Sequence, residues 1–180
     1  EKNIQTADLI RTTGFEGEIL SDIPNLIRYE NDTSLFELRP ALAVKPHNVD
    51  DIKKLVAFVS NKKDEDASLS LTARAAGTGM AGGALNDSII VDVGNMNHIK
   101  SVTTERAVVE PGVFYRDMDT ATKEKGVIMP SFPASRQLCA VGGMTGTNAS
   151  GEMTLTYGST ENWVKRLKVV LSDGNEYEFG

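Results

Sequence analysis

The chain has 180 residues, with 19 Lys+Arg against 25 Asp+Glu, a formal net charge of −6, 40% hydrophobic residues and one cysteine. That size and apolar share suit one packed domain or two small lobes, and the scattered basic residues leave no electrostatic footprint for nucleic acid. Cys139 alone excludes an internal disulfide framework and any multi-cysteine zinc or iron–sulfur site, so no metal is expected and a reducing, cytoplasmic setting is the default.

No apolar run approaches the ~20 residues of a membrane span, and Glu1-Lys2-Asn3 lacks the apolar stretch of a secretion signal. In chain order, Ala41–Pro46 reads as a short extended segment closed by Pro. Asn48 then caps a helix whose first turn carries Asp50 and Asp51. Ile52, Leu55, Val56 and Val59 fall on one face of that helix, with Lys53, Lys54 and Lys62 expected on a solvated opposite face.

Leu69–Ala73 and Ser88–Val93 read as strands, giving a β-α-β unit followed by a return strand, and between them lies Arg74-Ala75-Ala76-Gly77-Thr78-Gly79-Met80-Ala81-Gly82-Gly83-Ala84-Leu85. A hairpin needs only one or two glycines, whereas here Gly77, Gly79, Gly82 and Gly83 lie within seven residues. Without a Cβ, successive N–H groups can turn inward as an anion-binding nest, and a pyrophosphate is the expected occupant. Gly77 to Gly82 fits G-x-G-x-x-G, but a strand rather than a helix follows, which excludes a Rossmann site. Gly82 is followed by Gly83-Ala84 rather than Lys-Ser or Lys-Thr, which excludes a P-loop, and no protein-kinase signature follows.

Two short strands, Ile99–Thr103 and Ala107–Glu110, then Pro111-Gly112, lead to a helix near Tyr115–Lys125 that ends at Gly126, with Val127–Met129 extended beyond it. Val141-Gly142-Gly143-Met144-Thr145-Gly146-Thr147-Asn148-Ala149-Ser150-Gly151 is a second stretch of glycine and small polar residues. It reads either as a second point of backbone approach to a long ligand, or as a small-residue helix packed closely on a sheet in which Asn148 and Ser150 cap backbone groups. Asp173-Gly174 turns a hairpin whose second strand, Glu176–Phe179, ends at Gly180, and with no initiator Met at the start the chain reads as a fragment. His47 and His98 lie outside both glycine stretches and read as structural, and Cys139 as a small buried hydrophobe.

The ordered set Tyr29…Asp32, Pro40–Pro46, the Arg74–Leu85 loop, Val109-Glu110-Pro111-Gly112-Val113, Pro130…Pro133-Ala134-Ser135, Gly142-Gly143-Met144…Asn148-Ala149-Ser150-Gly151, Tyr157-Gly158 and Val170–Gly174 resembles the FAD-binding domain of vanillyl-alcohol oxidase type flavoproteins, nearest the glycolate oxidase and D-lactate dehydrogenase branch. The resemblance implies an α+β fold of two lobes, residues 1–97 and an incomplete 98–180. It further implies a small mixed sheet, a larger mostly antiparallel sheet, and a substrate domain outside the chain. By the same resemblance the backbone of Ala75, Ala76, Gly77, Thr78, Gly79 and Met80, with Gly82 and Gly83, would hold the FAD pyrophosphate. Ser135, Gly142, Gly143, Asn148 and Gly151 would line the ribityl chain and isoalloxazine. Some relatives bind FAD covalently through His in the first loop, but this loop has neither His nor Cys, so non-covalent FAD is expected.

The implied reaction is oxidation of a 2-hydroxy acid such as D-lactate or glycolate, with hydride passing to flavin N5 and a second acceptor reoxidising the flavin. Catalytic and substrate-binding groups would lie elsewhere, leaving this fragment inactive alone. The alternatives are a UDP-N-acetylenolpyruvoylglucosamine reductase-like flavoenzyme, or a cofactor-binding module without activity; the Gly142–Gly151 wording and the Pro133-Ala134-Ser135 turn favour the hydroxy-acid branch.

Overall fold

A computed structural model describes residues 2–180, beginning with helix α1 (Lys2–Thr12), which buries Ala7 and Ile10 and exposes Ile4 and Leu9. β1 (Glu18–Leu20) follows, then the single turn α2 (Ile23–Leu26), whose start is capped by Asp22 Oδ1 accepting from Asn25 N at 3.1 Å. β2 (Leu42–Lys45) pairs antiparallel with β1, placing Ile19 opposite Val44. Helix α3 (Val49–Lys62) begins as expected at Asn48, whose Oδ1 accepts from Asp50 N (2.9 Å) and Asp51 N (3.1 Å).

β3 (Leu71–Arg74) and β4 (Ile89–Asp92) complete a four-stranded sheet in the order β1-β2-β4-β3. The expected return strand is corrected here: β4 runs parallel to both β2 and β3 and inserts between them, with Ile89 level with Leu42 and Leu71. A parallel crossover needs a dozen or more residues and commonly uses a helix; here residues 75–88 make it as loop, so the glycine stretch is the crossover itself. Strands covered on both faces read as continuous apolar runs, and Leu42, Ala43, Val44, Ile89, Ile90 and Val91 are all buried. Leu42, Val44, Ile89 and Val91 pack with Ala7, Ile10, Phe15, Leu55 and Phe58 on one side, while Ala43 and Ile90 pack with Leu26 and Tyr29 on the other.

The buried stripe of α3 lies one step round from the expected one: Asp51, Leu55 and Phe58 are buried, Val59 packs beside them, and Ile52 and Val56 are only partly covered. Asp51 replaces an apolar residue because it has polar work to do. It is 0% exposed, and its carboxylate accepts from Glu16 N (3.0 Å) and His47 N (2.9 Å).

β5 (Ile99–Val102) and β6 (Ala107–Val109) pair antiparallel with an irregularity between Ile99 and Ser101, and helix α4 (Tyr115–Lys123) packs on them. A separate apolar cluster forms there from Val113, Tyr115, Met118, Cys139 and Met144. Residues 127–129 follow α4 outside any helix or strand. The chain there is held by the Tyr115 hydroxyl, which donates to Met129 O at 2.7 Å. Helix α5 (Val141–Gly146) and the single turn α6 (Thr154–Tyr157) follow, and then the hairpin β7 (Leu167–Val170) and β8 (Glu176–Phe179) turns at Gly174. The antiparallel sheet is thus present as two separate two-stranded ribbons, β5-β6 and β7-β8.

The second ribbon rests on α3, where Ser60 Oγ donates to Ser172 O at 2.8 Å and Lys53 Nζ lies 3.9 Å from Glu176. The expectation of a solvated lysine face is corrected for Lys53, which the ribbon reaches through Glu176. Lys53, Lys54 and Lys62 are only 34 to 36% exposed, and each has a partner: Glu176 and Asp50 for Lys53, Gly14 O (2.6 Å) for Lys54, Glu65 (2.8 Å) for Lys62.

Candidate functional site

The glycine crossover leaves the end of β3 and is braced from below by Arg74. Its guanidinium donates to Asn31 O at 2.8 Å and Tyr29 O at 3.4 Å, and lies 5.6 Å from the Tyr29 ring centroid. The Tyr29 hydroxyl in turn donates to Asp92 Oδ2 at 2.7 Å, while Asp92 Oδ1 accepts from Gly94 N at 2.8 Å. Burial first, and the Asp92 carboxylate second, push the Tyr29 phenol well above its usual range, so it remains a donor.

Residues 31–37 fold over the loop as a strap closed by an Asn31–Glu37 bridge. Thr33 Oγ1 lies 2.9 Å from Thr78 O and 2.8 Å from Gly79 O, and Phe36 packs against Gly82. Desolvation raises the Asp32 carboxyl, but the hydrogen bonds from Ser34 and the charge of Arg74 outweigh it and hold the group below its usual range. Asp32 Oδ1 accepts from Ser34 N at 2.7 Å, while its Oδ2 is buried without a partner among the described residues.

Gly77 (φ 66°) and Gly82 (φ 74°) occupy the left-handed region, and a Cβ at either would meet the Arg74 guanidinium (2.6 Å) or the Phe36 ring (2.9 Å). A Cβ at Gly79 or Gly83 would meet nothing within 4 Å. The loop therefore has a packed side, set by Gly77 and Gly82, and an open side at Gly79 and Gly83. Among the described residues, no N–H from Gly77 to Gly83 donates to a protein group. Unpaired backbone donors beside open space fit a diphosphate, which offers only acceptors. Ala75 and Ala76 enter this run half-buried, and Met80 stands 81% exposed at its tip.

The second expected set is assembled from three segments. Val141-Gly142-Gly143 opens α5, so the small-residue-helix reading holds for residues 141–146. Gly142 N donates to Pro111 O at 2.8 Å, and a Cβ there would come within 2.6 Å of Pro111 Cβ. A Cβ on Gly143 would lie 3.8 Å from Ala75 Cβ, so the start of α5 adjoins the start of the first loop. Gly151 lies against Phe132 O, leaving no room for a side chain. Ser135 stands in the turn after Phe132, with its carbonyl accepting from Leu138 N (2.7 Å) and Cys139 N (2.9 Å). Asn148 takes φ 47° and its Oδ1 accepts from Glu161 N at 2.9 Å, which is the capping reading.

Sequence reasoning assigned no role to Arg74, Thr33, Tyr29 or Asp92, because their partnerships span 43 to 63 residues and leave no local pattern. Cys139 is buried and free, as its reading as a small hydrophobe expects. His98 Nδ1 lies 2.8 Å from Glu110 Oε2, a structural contact, while His47 contributes its backbone N–H to Asp51. Among the described residues, no three His, Cys, Asp or Glu gather as a metal site, and no helix is long and apolar enough to cross a membrane.

A family model described as an FAD binding domain matches residues 40–180. D-2-hydroxyglutarate dehydrogenase of Pseudomonas putida is 31% identical over 170 residues, covering 93% of this chain and 17% of that protein. Glycolate oxidase subunit GlcD of Bacillus subtilis is 29% identical, covering 93% of this chain and 35% of its own length. D-lactate dehydrogenase of Archaeoglobus fulgidus is 31% identical, covering 77% and 31%. The chain thus spans between about a sixth and about a third of these relatives. Among solved structures, alkyldihydroxyacetonephosphate synthase superposes with a TM-score of 0.81 at 18% identity, covering 97% of this chain and 35% of that one. 6-Hydroxy-D-nicotine oxidase of Arthrobacter nicotinovorans superposes at 0.78 and 22% identity, covering 93% and 36%. At these identities the superpositions establish the fold alone.

Proposed function

The chain belongs to the FAD-binding-domain family of FAD-linked oxidoreductases, and from that premise we propose that it is the cofactor-holding part of an enzyme oxidising a 2-hydroxy acid such as D-lactate or glycolate. The observation that carries the reading is the run of N–H donors from Gly77 to Gly83 without a protein acceptor among the described residues, with open space at Gly79 and Gly83.

In this reading the backbone of Ala75–Met80, with Gly82 and Gly83, binds the diphosphate without lysine, which suits a chain of net charge −6. Gly143, adjoining Ala75, carries the site on toward Ser135, Asn148 and Gly151. When bound, the flavin supplies hydride acceptance at N5, and the protein's part is to bind, orient and exclude water. FAD is held non-covalently, since neither His nor Cys stands in the first loop. The separate clusters around Leu55 and around Tyr115 support two lobes divided near residue 97, with the β7-β8 ribbon reaching back from the second onto α3 of the first. Substrate-binding and catalytic groups lie outside this chain, which alone does not turn over hydroxy acid. A 2-hydroxy acid and an electron acceptor are partners of the whole protein.

The test is the visible spectrum of the purified chain after excess FAD has been added and unbound flavin removed by gel filtration. Retained flavin bands support the reading, and a colourless protein sinks the assignment of these loops as a self-sufficient flavin site. Turnover of D-lactate with an artificial acceptor by the 180-residue chain would refute the placement of catalysis elsewhere.

A further inference from the structure

We infer that Thr33, on the strap, is a positioning residue that aims the diphosphate-binding amides of the glycine loop, an inference that rests on the FAD reading above. A trans peptide is planar, so the carbonyl of one residue and the N–H of the next point in opposite directions. Thr33 Oγ1 sits 2.9 Å from Thr78 O and 2.8 Å from Gly79 O, so its single proton is shared between two successive carbonyls on the strap side. The N–H groups of Gly79 and Met80 are thereby turned away from the strap, toward the side on which a Cβ at Gly79 would meet nothing within 4 Å. Neither N–H has a protein acceptor among the described residues.

Other contacts seat the strap without fixing those two peptides. Arg74 donates to Asn31 O, Phe36 packs on Gly82, and Leu38 N donates to Glu30 O at 2.8 Å. Thr33 is the strap side chain that touches the carbonyls of Thr78 and Gly79, so it selects which way these peptides face. Left alone, a glycine-rich segment can flip a peptide plane at little cost, and the donors would be presented in only part of the population.

The experiment compares the 15N-labelled chain with Thr33→Val, which keeps the shape and loses the hydroxyl, and Thr33→Ser, which keeps the hydroxyl. Each is titrated with inorganic pyrophosphate and, separately, with FAD, while amide signals are followed. In the unaltered chain both ligands shift the Gly79 and Met80 amides. In T33V the pyrophosphate affinity falls about tenfold with an unchanged melting curve, and T33S remains within about threefold of the parent. A T33V chain that binds pyrophosphate like the parent overturns the inference. So does retained FAD that leaves the Gly79 and Met80 amides unmoved, in which case the flavin reading stands. If those amides answer pyrophosphate while FAD is not retained, the flavin reading fails and the Thr33 assignment survives; silence toward both ligands removes both. Should T33V not fold, Thr33→Ala takes its place, with the same tenfold loss of pyrophosphate affinity expected and parent-like binding overturning the inference.

Discussion

The Arg74 guanidinium lies directly under Gly77, and a Cβ at that position would come within 2.6 Å of its Nη2. The guanidinium cannot simply swing aside, because Asn31 O and Tyr29 O hold it. Gly77→Ala therefore combines a left-handed backbone with the loss of that brace, and an expected cost of about 1–3 kcal/mol is measurable by urea unfolding. Gly79→Ala is the contrasting case. Its stability should stay within about 1 kcal/mol of the parent, since nothing lies where the methyl would go, while flavin retention on gel filtration falls. Equal losses of stability in the two variants would contradict the division of the loop into a packed side and an open side.

Tyr29→Phe removes the donor to Asp92 Oδ2 and keeps the ring. The carboxylate then loses a short hydrogen bond in a half-buried site, and destabilisation of about 1–3 kcal/mol is expected. Chemical denaturation at neutral pH measures it, and a change below about 0.5 kcal/mol would mean that water replaces the phenol there.

Asp51→Ala leaves the N–H groups of Glu16 and His47 without their acceptor at the start of α3. Two unmade bonds at a fully buried side chain imply a loss of about 2–4 kcal/mol. Thermal melting is a sufficient readout, with Asp51→Asn expected to recover part of the loss because its amide oxygen still accepts.

Glu110 carries a pH dependence. Desolvation raises its carboxyl, but the His98 N–H, the His98 ring and Lys100 together outweigh this and hold it below the ordinary glutamate range. A depressed folded-state pKa adds stability above the ordinary value of 4.5, and that contribution is lost as pH falls through the lower folded-state value. The stability difference between the parent and Glu110→Gln should therefore be largest at neutral pH and shrink as the solution is acidified below about pH 4.5. A gap that widens in acid would reverse the assigned sign.

Acid precipitation of flavin-loaded protein should leave all of the yellow colour in the supernatant. Flavin on a tryptic peptide would identify a covalent attachment that the composition of the first loop does not provide for.

The elements read correctly from sequence are those whose cause is local. Asn48 with Asp50 and Asp51 announces α3, and Asp173-Gly174 announces the last hairpin. What sequence left hidden was set at a distance. The direction of β4 depends on its insertion between β2 and β3, and the continuous apolar run Ile89-Ile90-Val91 was the one local trace of that burial on both faces. Lys53 of α3 read as solvent-facing because the ribbon that reaches it through Glu176 lies more than a hundred residues away. Residues 2–20 carry α1 and β1 with too few apolar positions to make a periodic signal. At the candidate site, the glycines were legible because only glycine tolerates Gly77 and Gly82, while the contacts that Tyr29, Thr33, Phe36 and Arg74 make around the loop leave no local pattern.

The bond from Ser60 Oγ to Ser172 O also imposes an order of assembly during synthesis, since 112 residues separate its ends. Chains emerge amino-terminus first, so α3 has been made, and has packed Leu55 and Phe58 away, before the ribbon exists. Until then Lys53 and Ser60 face water, and the lysine's charge helps to keep that surface from sticking to other nascent chains. Lys53 thus serves first as part of a soluble cover and afterwards as part of the seat on which the β7-β8 ribbon docks through Glu176 and Ser172.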